Sequence, residues 1–190
     1  IYMLTGSEIK LIIHGCLDDD RACQRKLFDF TSAKVMSTCR RYCSNHEDAR
    51  DLFQEAYIKI FKSLGNFNHT QGDLLGWVYI ITKNCIFSSF SKKKLEIFPL
   101  DEISIENEML IHVDHDVLHE EEVLREIQNL PDGYRVILNM FVFDNMDHAA
   151  IASVLGISES TSRSQLTRAR ILLKKKLGLL YTARYEKSFI

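Results

Sequence analysis

The feature that most constrains the fold is a glycine between two apolar-patterned segments, in the stretch HAAIASVLGISESTSRSQLTRARILL. On a helical wheel the first segment has an inward face made of Ile151, Val154 and Leu155. Ala152 is small enough to let a second helix approach closely, and Gly156 supplies the permissive backbone of a tight turn. Ser158 is a typical cap for the helix that follows. This order predicts a helix-turn-helix motif.

The second helix of this motif has an apolar face and a polar face. Its predicted inward face consists of Ser162, Leu166, Ala169, Leu173 and Leu177. Its outward face combines one aliphatic residue, Ile171, with arginine and hydroxyl side chains: Arg163, Ser164, Thr167 and Arg168. Arginine donates to guanine edges in bidentate fashion, and hydroxyl groups reach bases or phosphates. The pattern favours a recognition helix in the DNA major groove, with a helical hairpin that has a solvated basic side as the alternative. The three lysines at 174–176 are expected either to contact backbone phosphates or to be simply solvated.

Helical periodicity extends over most of the chain. Only two prolines and eight glycines occur in 190 residues, which favours helices over a sandwich or barrel. Further helices are predicted at residues 23–43, 45–67, 74–94, 116–130 and 132–145, followed by the two of the motif, which we expect to be short. We predict an all-α fold with helical domains at 1–94 and 119–190. The acidic segment 95–118 is predicted to be the linker between them.

Charge is unevenly distributed along a chain whose net charge is only -2. Residues 95–126 contain eleven acidic residues and one arginine, whereas residues 158–190 contain eight basic residues and two acidic ones. Segregation of this kind suggests a basic module that meets a polyanion. A solvated basic helix explains the same charges without a partner.

The helix at 45–67 has a polar outer face. Its predicted inward face consists of Ala49, Leu52, Phe53, Ala56, Ile60 and Leu64. Its outer face carries Asp48, Asp51, Gln54, Glu55, Ile58 and Lys62. An isoleucine among acids favours a protein partner with basic residues. Single exposed aliphatic residues are also common on surfaces that bind nothing.

The segment after this helix has the composition of a site that could bind an unpaired base. It contains Phe67, Asn68, His69, Thr70, Gln71, Gly72 and Asp73, and the next helix carries Lys83 and Asn84. Aromatic rings, amides and lysine beside a loop can stack on and hydrogen-bond a base. We expect the loop residues to make such contacts and Trp77 to lie in the core.

Several classes of protein are disfavoured. The five cysteines are odd in number and widely spread, which predicts reduced thiols. Cys39, Cys43 and His46 are spaced like half a zinc site, although small apolar cysteines on a helix face explain them better. Neither a phosphate-binding glycine loop nor a nucleophile elbow supports an enzyme. Without a signal peptide or a long apolar run, we expect a cytoplasmic protein with no cofactor, no metal and no membrane insertion.

Three stretches together resemble a known family. They are DARDLFQEAYIKIFKSLGNF, GDLLGWVYIITKN and LPDGYRVILNMFVFDNMDHAAIASVLGISESTSRSQLTRARILL. They are similar to conserved region two, to the promoter-melting helix and to region four of bacterial sigma-70 factors, in the small extracytoplasmic function (ECF) group. The similarity covers about residues 20–94 and 118–178. It implies a subunit that binds core RNA polymerase and directs promoter-specific initiation without catalysis of its own.

The resemblance also implies roles for individual residues. The clamp coiled coil of core polymerase would contact Asp48, Asp51, Gln54, Glu55 and Ile58, and the polymerase flap would contact region four. A flipped base of the minus-ten element would be held by Phe67, Asn68, His69, Thr70, Gln71 and Asp73, with Lys83 and Asn84 on the melting helix. The minus-thirty-five element would be read by Arg163, Ser164, Thr167 and Arg168. An anti-sigma factor is an expected partner, and the acidic linker suits a basic polymerase channel.

The sequence departs from the family pattern in two places. Ala150 stands where the family often has an acidic residue, and the stretch SSFSKKK lacks the Arg- and Asp-rich run that usually follows the melting helix, although residues 92–94 keep positive charge. The alternative function is a helix-turn-helix regulator that binds duplex DNA alone and uses its first domain for dimerisation or effector sensing. The acidic outer face with Ile58 favours the sigma factor, because a regulator has no need of it.

Overall fold

The structure, a computed structural model, describes residues 4–68, 72–92 and 119–187. In these ranges the chain is helical and has no strand, which confirms the predicted all-α class. The helices are α1 (Gly6–Leu17), α2 (Arg21–Tyr42), α3 (His46–Ser63), α4 (Leu74–Lys92), α5 (Glu120–Gln128), α6 (Asp132–Val142), α7 (His148–Leu155) and α8 (Glu159–Lys187), with a 3-10 turn at Leu64–Asn66. The predicted linker at 95–118 lies outside the described residues.

The chain divides into two compact units. The first comprises Ile1–Arg40 and Asn45–Ser89, and the second comprises Arg41–Ser44 and Phe90–Ile190. The exact limits of the predicted domains, at residues 94 and 119, stay a prediction. None of the helices in the described ranges combines the length and the apolar character needed to cross a bilayer.

Local caps explain where the helices of the first unit begin. Thr5 and Glu8 form a capping box at the start of α1, a helix that the periodicity analysis did not predict. The Asn45 side chain accepts a hydrogen bond of 2.8 Å from the backbone N–H of Asp48, and α3 begins at the next residue after Asn45, as predicted.

The inward face of α3 builds the core of the first unit. Ala49, Ala56 and Ile60 are fully buried, as the wheel predicted. Tyr57, which the wheel did not place in the core, is also buried, and its hydroxyl lies 2.7 Å from that of Thr31 on α2. Burial raises the pKa of Tyr57 to about 12, so the phenol stays protonated at neutral pH.

The second unit contains the predicted helix-turn-helix. Gly156 ends α7 with φ of 67°, a left-handed conformation that glycine adopts at little cost. The Ser158 hydroxyl then accepts a hydrogen bond of 3.0 Å from the backbone N–H of Thr161, which caps α8 as predicted. Ile151 and Ala152 are buried beneath the turn. The expectation of two short helices was wrong for the second, since α8 has 29 residues.

A buried arginine holds together the start of the second unit. Arg135 on α6 is only 2% exposed. It donates hydrogen bonds to the carbonyl oxygens of Tyr42 (2.9 Å), Gln128 (2.8 Å) and Leu130 (2.6 Å), and it forms an ion pair with Asp132. Arg135, five residues after Leu130, therefore stabilises the fold of the second unit.

The cysteines suspected of metal binding are core residues. Cys39 and Cys43 are buried and are not part of a disulfide bond. Across the part of the chain that the structure describes, no three His, Cys, Asp or Glu side chains are grouped so that they could hold a metal ion.

Candidate polymerase and nucleic-acid interfaces

The first candidate surface is the outer face of α3. We call five of its residues the acidic stripe, and all five side chains are exposed: Asp48, Asp51, Gln54, Glu55 and Ile58. Ile58 has 55% of its surface exposed, which is a large fraction for an isoleucine. The opposite face of α3 is buried, so packing fixes the direction in which the stripe faces.

Few local contacts compete for the charges of the stripe. Glu55 pairs with Lys59 at 2.9 Å, and this hydrogen bond holds the pKa of Lys59 above its ordinary value. Asp48 accepts a 3.0 Å hydrogen bond from the Asn45 amide. Both pairs are at the surface, where such interactions contribute little and exchange readily for a partner. The stripe is therefore an anionic surface with one apolar side chain in it.

The second candidate surface follows the 3-10 turn. Asn68 is exposed, and Phe67 is half-buried with its ring 5.5 Å from that of Trp77 in an edge-on arrangement. Trp77 is itself half-buried, so the expectation that it lies in the core holds only in part. Asp73 accepts a 2.8 Å hydrogen bond from the backbone N–H of Gly76 and so caps α4. The predicted contacts at 69–71 lie outside the described residues.

The melting-helix residues Lys83 and Asn84 lie between two and three turns into α4. Asn84 is exposed, and Lys83 is half-buried. The Lys83 ammonium group lies 5.0 Å from the ring centre of Tyr79 and 5.9 Å from that of Phe87. Lys83 and Asn84 were predicted from the composition of this helix, whereas Phe87 was given no role.

The third candidate surface is the outer face of α8. Arg163 and Thr167 are exposed, and Ser164 and Arg168 are half-buried, so the four predicted residues lie on the solvent side of the helix. The opposite side is buried through Ser162, Leu166 and Ala169, as predicted, while Leu173 and Leu177 are half-buried. Gln165 is also buried, at 1% exposure, a position that its polarity did not predict.

Three of these four side chains form local hydrogen bonds or ion pairs. Ser164 and Thr167 donate their hydroxyl protons to the carbonyl oxygens of Thr161 and Arg163, each at 3.0 Å. Their oxygen lone pairs remain available to accept hydrogen bonds. Arg163 forms an ion pair with Glu159 that must open if the guanidinium is to reach a base. Arg168 also has contacts in this fold.

Comparison with known proteins gives matches in both units. The family model "Sigma-70 region 2" matches residues 28–96, and "Sigma-70, region 4" matches residues 120–173. The ECF RNA polymerase sigma factor SigW of Bacillus subtilis is 25% identical over 187 residues, covering 92% of this chain and 97% of SigW. The RNA polymerase sigma factor SigZ of the same organism is 31% identical over 136 residues, covering 67% of this chain and 71% of SigZ.

A solved structure also matches much of the chain. It is the sigma factor RpoE in complex with the anti-sigma factor NepR from Bartonella quintana. The sequence identity is 20%, the match covers 80% of this chain and 95% of the RpoE chain, and the TM-score is 0.47.

Proposed function

We infer the function of this chain from its family: it belongs to the sigma-70 family of bacterial RNA polymerase sigma factors, in the ECF group. It binds core RNA polymerase and directs promoter-specific transcription initiation. The observation that carries this conclusion is the match of two separate sigma-70 regions, in their order along one chain. Sigma factors are non-catalytic initiation factors. A stand-alone regulator is not favoured, because region two accounts for the first domain.

For polymerase binding we propose the acidic stripe. Its support is the exposure of all five side chains on one helix face, with Ile58 providing an apolar contact at the C-terminal end of the stripe. Interfaces of this kind combine a few buried apolar contacts with complementary charge. The partner surface is proposed to be the basic clamp coiled coil, with region four contacting the flap.

For the minus-ten element we propose the loop from Phe67 to Asp73 with Lys83 and Asn84. Asn68 and Asn84 are exposed and carry amides that can read a base edge. Asp73 has a second role, because its carboxylate caps α4 and thereby fixes the end of the loop. Phe67 packs on Trp77, so we propose that it shapes the pocket wall.

For the minus-thirty-five element we propose the outer face of α8. This face carries two arginines and two hydroxyl side chains: Arg163, Arg168, Ser164 and Thr167. Their donors and acceptors match those of the base edges in the major groove. We further propose that the protein acts in the cytoplasm, where its polymerase and promoter partners are. An anti-sigma factor that covers one of these surfaces stays a prediction.

A run-off transcription assay tests the function directly. The purified full chain is added to core polymerase with a promoter selected by that holoenzyme from a randomised duplex library. Initiation that depends on the chain is expected. If the chain fails to bind core polymerase but binds naked duplex tightly, the function is that of a regulator instead.

The Arg168→Ala variant is expected to lose about 1–3 kcal/mol of affinity for the selected minus-thirty-five duplex, because a bidentate contact to a base is removed. Binding of holoenzyme to the duplex is measured by fluorescence anisotropy. Arg125→Ala, which removes an exposed arginine of α5 in the same unit, should bind like the original chain. An equal loss on scrambled duplex would reassign Arg168 to a phosphate.

A further inference from the structure

A chain of side-chain contacts joins three helices of the second unit. The imidazole ring of His148, the first residue of α7, is stacked on the Phe141 ring of α6, with ring centres 4.9 Å apart and an angle of 27° between the planes. The guanidinium group of Arg170 on α8 lies 5.3 Å from the centre of the same Phe141 ring. His148 Nδ1 lies 2.9 Å from the hydroxyl oxygen of Ser162, which is also on α8. The chain of contacts therefore begins and ends on α8.

The two ends of this chain bracket the proposed minus-thirty-five contacts. Ser162 and Arg170 are eight residues apart, which is about 12 Å along a helix axis. Between them lie all four residues proposed to face the major groove: Arg163, Ser164, Thr167 and Arg168. A helix held at one point can still swing about that point. Contacts at two points with this separation restrict both the rotation and the tilt of α8.

The hydrogen bond between α7 and α8 is directional, unlike the apolar contacts around it. Ser162 is 0% exposed and lies on the inward face of α8 with Leu166 and Ala169. Apolar burial has no preferred direction, so it tolerates small rotations of one helix against another. A buried hydroxyl group needs its partner at a set distance and angle, and losing that partner is costly. His148 therefore favours one orientation of α8 among those that apolar packing permits.

The Phe141 ring holds the imidazole where this hydrogen bond requires it. The ring torsion of a histidine side chain is intrinsically broad, so an unsupported ring would turn Nδ1 away from Ser162. Stacking on Phe141 restricts that rotation, and both rings are half-buried. Arg170 is exposed and lies against Phe141 from the helix that is being oriented. The stack and the hydrogen bond thus act on α8 together.

We propose that His148 is a positioning residue for promoter recognition, which orients α8 in the major groove through its hydrogen bond with Ser162. The proposal rests on the proposed minus-thirty-five function and extends it to α7. Hydrogen bonds to base edges depend on this orientation, because a bidentate pair requires both partners in place. Contacts to phosphates carry no sequence information. Loss of the hydrogen bond should therefore reduce discrimination between sequences more than it reduces affinity for DNA in general.

The test compares two duplexes, one carrying the selected minus-thirty-five element and one with that element scrambled. Holoenzyme made from the full chain is titrated with each, and binding is followed by fluorescence anisotropy. His148→Phe keeps an aromatic ring for the stack but lacks the hydrogen-bonding nitrogen. We expect this variant to bind the selected duplex about fivefold more weakly, which is the typical contribution of one hydrogen bond. Binding of the scrambled duplex should be unchanged.

Three further variants separate positioning from simple stability. His148→Asn has an amide in place of the imidazole Nδ1 and should recover part of the lost discrimination. Ser162→Ala should lose discrimination like His148→Phe, and combining the two should add little, because both remove the same interaction. Ser153→Ala changes an exposed serine of α7 and should bind both duplexes like the original chain.

Equal weakening on both duplexes, or an unchanged affinity for the selected one, would overturn the positioning role of His148. Fully additive losses in the double variant would do the same. Circular dichroism checks that each variant is folded, and if His148→Phe is not, the ratio of the two affinities in Ser162→Ala decides. In all these cases run-off initiation by the original chain continues. Absence of that initiation would overturn the proposed function instead.

Discussion

Reversing Asp51 and Glu55 together to lysine is expected to abolish binding of core polymerase and reduce run-off transcription by more than about a hundredfold. Both carboxylates are exposed on the outer face of α3, so the substitutions leave the buried face of that helix unchanged. Each reversal replaces an attraction to a basic partner by a repulsion, and like charges at an interface cost several kcal/mol. The effect is therefore larger than that of neutral replacement.

The same change has a small and calculable effect on the helix itself. Glu55 forms an i,i+4 ion pair with Lys59, and lysine at position 55 would place two positive charges there. Such a pair destabilises a helix by about 0.2–0.5 kcal/mol. Circular dichroism should consequently show a folded protein with almost unchanged thermal unfolding. Loss of polymerase binding in a folded chain then reports on the interface.

Binding is measured by titrating labelled chain with core polymerase and following anisotropy. The matched control is Asp18→Lys, which reverses an exposed carboxylate at the end of α1 in the same unit. This variant should bind polymerase like the original chain. Binding of the double variant with undiminished affinity would mean that the acidic stripe does not contact polymerase.

The sequence was most informative where the determinants of structure are local. Gly156 and Ser158 set the turn and the cap within a few residues, and the structure has both as predicted. The inward face of α3 follows directly from the 3.6-residue period. The start of α1 was equally readable, because Thr5 and Glu8 have the spacing of a capping box, but the periodicity analysis did not use that signal.

The features that escaped prediction depend on contacts between distant residues. The burial of Tyr57 depends on α2, since its ring packs against Phe28 and its hydroxyl lies 2.7 Å from that of Thr31. Lys34 and Tyr79 are 45 positions apart, so their proximity appears only after α2 and α4 have packed. The length of α8 was underestimated because its inward face was followed only to Leu177, whereas the helix continues to Lys187. The 3.6-residue period shows which face of a helix is buried, but it does not show which other helix packs against that face.

Arg135→Met is expected to be the most destabilising of the substitutions considered, with a cost of about 3–5 kcal/mol in the free energy of unfolding of the second unit. Replacing a buried ion pair by apolar residues is often tolerated, since both charges leave the interior together. Here the acceptors are mainly backbone carbonyl groups, of Tyr42, Gln128 and Leu130, which no side-chain substitution removes. Each buried acceptor left without a donor costs about 1–3 kcal/mol.

Hydrogen exchange of the full chain measures this loss of stability. The exchange is followed by mass spectrometry on peptides from α5 and α6, the helices around Arg135. Arg135→Lys should recover only part of the protection, because an ammonium group donates from one point and lacks the forked geometry of guanidinium. Arg163→Met removes an exposed arginine paired with Glu159. It should change the free energy of opening, as measured by exchange, by less than about 0.5 kcal/mol. Equal protection in Arg135→Met and Arg163→Met would show that the carbonyl groups find other donors and that Arg135 does not stabilise this unit.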